Sequence, residues 1–177
     1  MISPDQSGEL VEATYSWARS LGTAFGGVEQ RRPDGDELAA HQVNAAVLQA
    51  RQRVLLVEAA DSAPGPRCWL GLLIAALAES ARRGRDVRLL IGGKRPWRPE
   101  RAAEWAALDD LHRAGVTVRT VPGLVPSMLL ADAVVLLGAA REAPGGPGDV
   151  LQVTERPTAQ VAHHLAAMLW ESGEPVF

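Results

Sequence analysis

Three apolar runs, RVLLVEAAD, DVRLLIG and VTVRTV, each follow a stretch of helical periodicity, and this alternation constrains the fold more than any other feature. A strand apolar on both faces needs cover on both sides, which helices packed on a central sheet supply. The first helix is expected from Glu37 to about Gln52, with Leu38, His41, Ala45 and Leu48 along one stripe. In CWLGLLIAALAESARRG, Leu70, Leu73, Ile74 and Leu77 share a helical face, and Gly84 is placed to end the helix. RPERAAEWAALDDLHRAG reads as a third helix, with Pro99 near its first turn and Gly115 just past its end. VPSMLLADAVVLLGA reads as two short strands joined by a turn, followed by a GGPG loop and the strand DVLQVT. Thr158 is placed to cap a last helix running through Trp170. The expected class is α/β, a central sheet covered by helices.

The chain has 177 residues, enough for one domain with a sizeable core. Residues 9 to 24 read as a separate helix carrying Leu10, Trp17 and Leu21, cut off by Gly22, Gly26, Gly27 and RRPDGD. Residues 1–33 are therefore expected to form an N-terminal helix and linker, and residues 34–177 the α/β domain. A helix set apart in this way buries its apolar face either against a partner subunit, giving a homodimer, or back on its own domain. The net charge of −3 does not advertise a nucleic-acid or membrane partner. Cys68 is the only cysteine, which excludes an intramolecular disulfide framework and a multi-cysteine zinc site. MISPDQSGEL lacks the basic and apolar regions of a secretory signal, and the apolar runs stop short of the ~20 residues that span a bilayer. A cytoplasmic location is expected.

The hairpin carries the first candidate site. Asp132 stands six positions ahead of Gly138, and around this pair the chain resembles the phospholipase D-like superfamily. That family's signature begins with His-x-Lys, four further residues and Asp. Aligned on Asp132, Val125 takes the histidine position and Ser127 the lysine position, while Gly138 falls on the glycine of the closing Gly-Ser and Ala139 on its serine. In the family the histidine attacks phosphorus and the lysine helps neutralise the phosphate. Valine offers no lone pair and serine no positive charge, so no catalytic residue and no ordinary phosphodiesterase activity are expected. An Asp and a Gly at a hairpin are also common for conformational reasons alone.

A narrower resemblance covers ELVEATYSWARSLG, GVTVRTVPGLVPSMLLADAVVLLG and AQVAHHLAAMLWESGEPV. These stretches are similar to the phospholipase D-like effector domain of actinobacterial LuxR-type regulators and, more distantly, to the sugar-sensing domain of archaeal TrmB-type repressors. The resemblance implies a phospholipase D-like mixed sheet flanked by helices, with an N-terminal helix. It also implies a small-molecule effector and a paired, homodimeric assembly. In that family a helix-turn-helix follows the Leu-Trp-Glu segment, so DNA contact is expected only through a helix-turn-helix absent from this chain.

Two loops supply further candidates. In GGKRPWRPER, Lys94, Arg95, Arg98 and Arg101 surround Trp97 just beyond a strand. Ligands of open α/β sheets lie outside the carboxyl ends of strands, so this loop is placed either to close over an anionic or aromatic ligand or to stay a solvated surface. In VEAADSAPGPRCWLG, Glu58 and Asp61 follow the first strand and Trp69 sits near the next helix start. Such carboxylates either fix a polar ligand or are merely solvated, and the glycines do not form a phosphate-binding loop. His163 and His164 are adjacent and point about 100° apart on a helix, His41 reads as a core histidine, and His112 lies in a last helical turn. No metal and no cofactor are expected.

The sequence thus describes a non-catalytic effector-binding domain of a transcriptional regulator type. Its ligand is expected over the hairpin, contacted by Ser127, Asp132, Glu58, Trp69, Arg95 and Trp97. Two alternatives stay open. One is a phospholipase D-like hydrolase or transferase whose replaced nucleophile is Ser127, Asp132 or a histidine from elsewhere. The other is a structural interaction module whose cleft is filled by Val125 and Met128.

Overall fold

The computed structural model of the chain describes residues 28–29, 36–59, 69–93, 102–123, 125, 127–138 and 150–177. Residues 9 to 24 with Trp17, and the loop holding Arg95 and Trp97, lie outside the described residues.

The continuous apolar runs become β2 (Arg53–Ala59), β3 (Asp86–Gly93) and β4 (Thr117–Pro122), paired in parallel side by side. The hairpin stretch forms β5 (Met128–Ala131) and β6 (Val134–Gly138), and β5 pairs antiparallel with β2. With β7 (Val150–Val153), β1 (Val28–Glu29) and β8 (Glu174–Pro175) they make one eight-stranded sheet of order β1-β7-β6-β5-β2-β3-β4-β8. Three parallel strands and antiparallel additions on both sides make the sheet mixed. Val28–Glu29, which the sequence assigns to the N-terminal linker, pair with β7 and so belong to the sheet.

Helices cover both faces. On one side lie α1 (Asp36–Gln49), α2 (Trp69–Arg82) and α3 (Ala102–Arg113). Val43, Val47, Leu73, Leu77, Leu108 and Leu111 from these helices pack on Val54, Leu56, Leu89, Val118, Leu129 and Leu136 of the sheet. On the other side α4 (Arg156–Ser172) lays Ala166 and Trp170 over Leu55, Val57, Leu90, Val121, Met128 and Leu130. Residues of β2 alternate between the two clusters, as the two-residue period of a strand requires. Gly84 and Gly115 take positive φ of 78° and 98° just past α2 and α3, where a left-handed residue closes a helix end.

The structure corrects three details of the sequence reading. α1 buries Val43 and Val47, whereas His41 is exposed and Leu48 is 38% exposed; the pair four residues apart that meets α2 wins over the stripe through His41. α4 begins at Arg156 with Glu155 as its N-cap, and Thr158 is buried inside the first turn instead of capping it. β8 follows α4 along the free edge of β4. It carries the chain to Phe177, whose ring stacks on His112 at 4.5 Å and meets Trp105 edge-on at 6.4 Å.

The end of α4 is held from the sheet. Arg119 of β4 donates from Nη1 to the Trp170 carbonyl at 2.9 Å, and its guanidinium lies 4.8 Å from the centre of the Trp170 ring. A cation at a helix carboxyl end and over an indole is favourable on both counts. No helix among the described residues is long and apolar enough to cross a membrane.

Candidate functional site

The two carboxylates that the sequence offers, Glu58 and Asp132, occupy opposite ends of one strand pair. β5 runs antiparallel to β2, with Met128 opposite Val57 and Ala131 opposite Val54. Continuing that register sets Ser127 against Glu58 at the carboxyl end of β2, and Asp132 against Arg53 at its start. The five steps from Ser127 to Asp132 span roughly 17 Å at strand rise.

Asp132 forms the hairpin turn with φ 51°, a left-handed conformation that aspartate tolerates. Its carboxylate accepts backbone N–H groups from Arg51 at 2.5 Å, Gln52 at 3.1 Å and Arg53 at 2.8 Å. Its own N–H donates to the Arg53 carbonyl at 3.0 Å. The amides of Arg51 and Arg53 hold its carboxyl below the ordinary carboxylate range. Asp132 therefore ties the turn to the start of β2 and lies away from Ser127, whereas the sequence places both on one ligand over the hairpin.

The rest of the hairpin is filled on the α4 side. Val125 and Met128 are buried among Leu55, Val57 and Leu130. Val125 lies so close to β3 that a Cβ on Gly92 would sit 2.5 Å from its Cγ2. Val125 is thus a packed core residue.

On the other face, at the carboxyl end of β2, a polar cluster survives. Glu58 lies inside β2, one residue before its end, and is only 4% exposed. The sequence reading placed it after the strand; the signal for its true place was a charged residue within the run RVLLVEAA. Ser127 donates its hydroxyl to Glu58 Oε1 at 3.1 Å. The other oxygen, Oε2, is buried and has no hydrogen-bond partner among the described residues. Burial pushes the Glu58 carboxyl up to about 7, opposed by the Ser127 hydroxyl and by the amides of Leu70 and Trp69 at the start of α2. Those amides are the positive end of the helix dipole, where a carboxylate belongs.

Trp69 and Gly138 complete the cluster. A Cβ on Gly138 would sit 3.0 Å from Ser127 Cβ and 3.4 Å from Trp69 Cζ2, so glycine is required by the close approach of both. The Gly138 N–H donates to the Ser127 carbonyl at 2.8 Å and carries the hairpin ladder to that end. Of the six residues assigned to the ligand, the structure thus brings together Glu58, Ser127 and Trp69, and sets Asp132 apart. No three His, Cys, Asp or Glu side chains among the described residues converge as a metal site.

The topology and these two faces define a phospholipase D-like fold, and solved structures share it. The chain matches no protein-family model and no curated protein. NucT from Helicobacter pylori is similar with a TM-score of 0.62 at 15% identity, over 84% of this chain and 95% of that one. Nuc from Salmonella typhimurium, a phospholipase D family member, is similar at 0.58 and 18% identity, over 77% and 90%. TrmBL2, an archaeal chromatin protein with a novel mode of DNA binding, is similar at 0.60 and 13% identity. That match covers 97% of this chain but 66% of TrmBL2, so this chain spans just under two thirds of that protein.

Proposed function

We propose that this chain is a non-catalytic effector-binding domain of the kind that serves transcriptional regulators, with its ligand at the carboxyl end of β2. One observation carries the reading: Glu58 Oε2 is buried and has no hydrogen-bond partner among the described residues. A buried polar atom without a partner is costly, by about 1–3 kcal/mol, and a ligand donor would remove that cost. The site lies outside the carboxyl end of a central strand, where ligands of α/β sheets collect. Val125 packed on Gly92 leaves no nucleophile at the signature position, which favours binding over turnover. The likeness to TrmBL2 supports a regulatory setting. DNA would be reached through a helix-turn-helix outside this chain, in the cytoplasm, and residues 9 to 24 would pair two copies. Ligand binding would act by favouring one arrangement of the domain or dimer.

Thermal unfolding with a metabolite library tests the reading. A ligand at a hundred times its dissociation constant stabilises by about 2.7 kcal/mol. The shift should vanish in Glu58→Gln, and a broad library without any shift would remove the proposal. Light scattering on the full chain and on a version starting at Asp34 tests the pairing; an unchanged monomer in both discards it.

One observation favours a second reading, a hydrolase with a replaced nucleophile. The Ser127 hydroxyl already points at a carboxylate whose pKa is near neutrality, an arrangement suited to a base taking a proton from an attacking oxygen. An activated phosphodiester should show no turnover above background. Turnover lost in both Ser127→Ala and Glu58→Gln would establish this second reading instead.

A further inference from the structure

Glu58 is a buried carboxylate with no counter-ion among the described residues. The influences on its acidity are burial, one hydroxyl and two backbone amides, with no charged side chain among them. The amides of Leu70 and Trp69 at the start of α2 favour the charged form of Glu58, while its Oε2 meets no donor at hydrogen-bond geometry among the described residues. Beside the carboxylate lies the Ser127 hydroxyl, and the half-buried Trp69, whose backbone amide acts on Glu58, sets its ring atom Cζ2 against Gly138 next to Ser127. A carboxylate, a hydroxyl and an aromatic ring together recognise one chemical group well: an alkylated or primary ammonium. The carboxylate supplies the opposite charge, the hydroxyl oxygen a hydrogen-bond acceptor, and the indole its quadrupole. Phosphate would meet an unpaired like charge in a low-dielectric setting, which is strongly unfavourable.

We infer that the Glu58–Ser127–Trp69 cluster is a site for a cationic, ammonium-bearing effector and excludes phosphate. The inference rests on the ligand-binding reading above and adds the ligand's charge.

Amide and indole NMR spectra of the labelled chain at pH 7 and fixed ionic strength test it, with four probes: ethylammonium, tetramethylammonium, inorganic phosphate and glycerol. The Trp69 indole N–H and Ser127 amide signals should shift saturably with both ammonium ions and not with phosphate or glycerol. Glu58→Gln should weaken ammonium binding by about tenfold or more, while Asp132→Asn leaves it within about twofold. Folding of each variant is read from the dispersion of the same spectra. Absence of a saturable shift with either ammonium ion overturns the inference, as does tighter binding of phosphate or glycerol at these signals. A neutral or anionic library ligand found at the same residues would overturn the ammonium assignment alone and leave the ligand-binding reading standing.

Discussion

Glu58 and Asp132 sit at opposite ends of one strand pair and differ in burial, in partners and in acidity. Asp132 is half-exposed, accepts three backbone amides and is held in its ionised form. Glu58 is buried, shares one oxygen with Ser127, leaves the other without a partner among the described residues and resists ionisation up to about pH 7. A carboxylate whose two oxygens both accept backbone amides serves the architecture, because its charge is already matched by fixed donors. An unsatisfied buried one lowers stability and persists more readily where something else uses it. The residues that carry the resemblance, Asp132 and Gly138, both have architectural roles here, one closing a turn and the other letting Trp69 and Ser127 approach. Val125 is taken up in packing and Ser127 in the pair with Glu58.

The largest effect expected from this contrast belongs to Glu58. Its folded-state pKa of about 7 stands above the ordinary 4.5, so the folded chain binds more protons between those values. Its contribution to stability is therefore full below about pH 4.5 and is lost as pH rises through 7. The difference corresponds to about 3 kcal/mol at most. Glu58→Gln should be more stable than wild type at pH 8 and nearly equal at pH 5, by denaturant unfolding at both. Equal stabilities at both pH values would show that burial does not penalise this carboxylate.

An intermediate effect is expected at the packed end of the hairpin. Gly92→Ala forces a methyl into the Val125 side chain and should cost about 2 kcal/mol. Combined with Val125→Ala, the loss should be clearly less than the sum of the single losses. Strict additivity would mean that Val125 does not fill the space above Gly92.

Asp132→Asn is expected to show the smallest change of stability. The amide nitrogen cannot accept the Arg51 N–H, but the group is only half-buried and water replaces part of the loss, leaving about 1 kcal/mol or a fall in Tm of about 2–4 °C. Because the folded-state pKa is depressed, this contribution is present above the ordinary 3.8 and lost as pH falls through the folded value. The variant should thus differ from wild type at pH 7 and converge with it in acid. Divergence in acid would contradict the role of the three amides.

The alternation of helices and apolar runs made the α/β sheet legible, along with the hairpin and both left-handed glycines after α2 and α3. Two edge strands were not legible. Val28–Glu29 and Glu174–Pro175 are two residues long, and pairing to a neighbour, not local pattern, makes them strands. The site was legible only as separate residues. Spacing along the chain drew attention to Asp132, whereas the Glu58–Ser127 pair joins residues 69 positions apart and exists only through the register of β2 with β5. The one local sign was an acidic residue inside an apolar strand.

A carbon-13 NMR titration of the side-chain carboxyls from pH 2 to 9, assigned with Glu58→Gln and Asp132→Asn, tests this contrast most directly. The account predicts a Glu58 midpoint near 7 and an Asp132 midpoint below 3.8. A Glu58 midpoint near 4.5 would contradict it, because that carboxylate would then be solvated or already paired and would have no unmet need for a ligand.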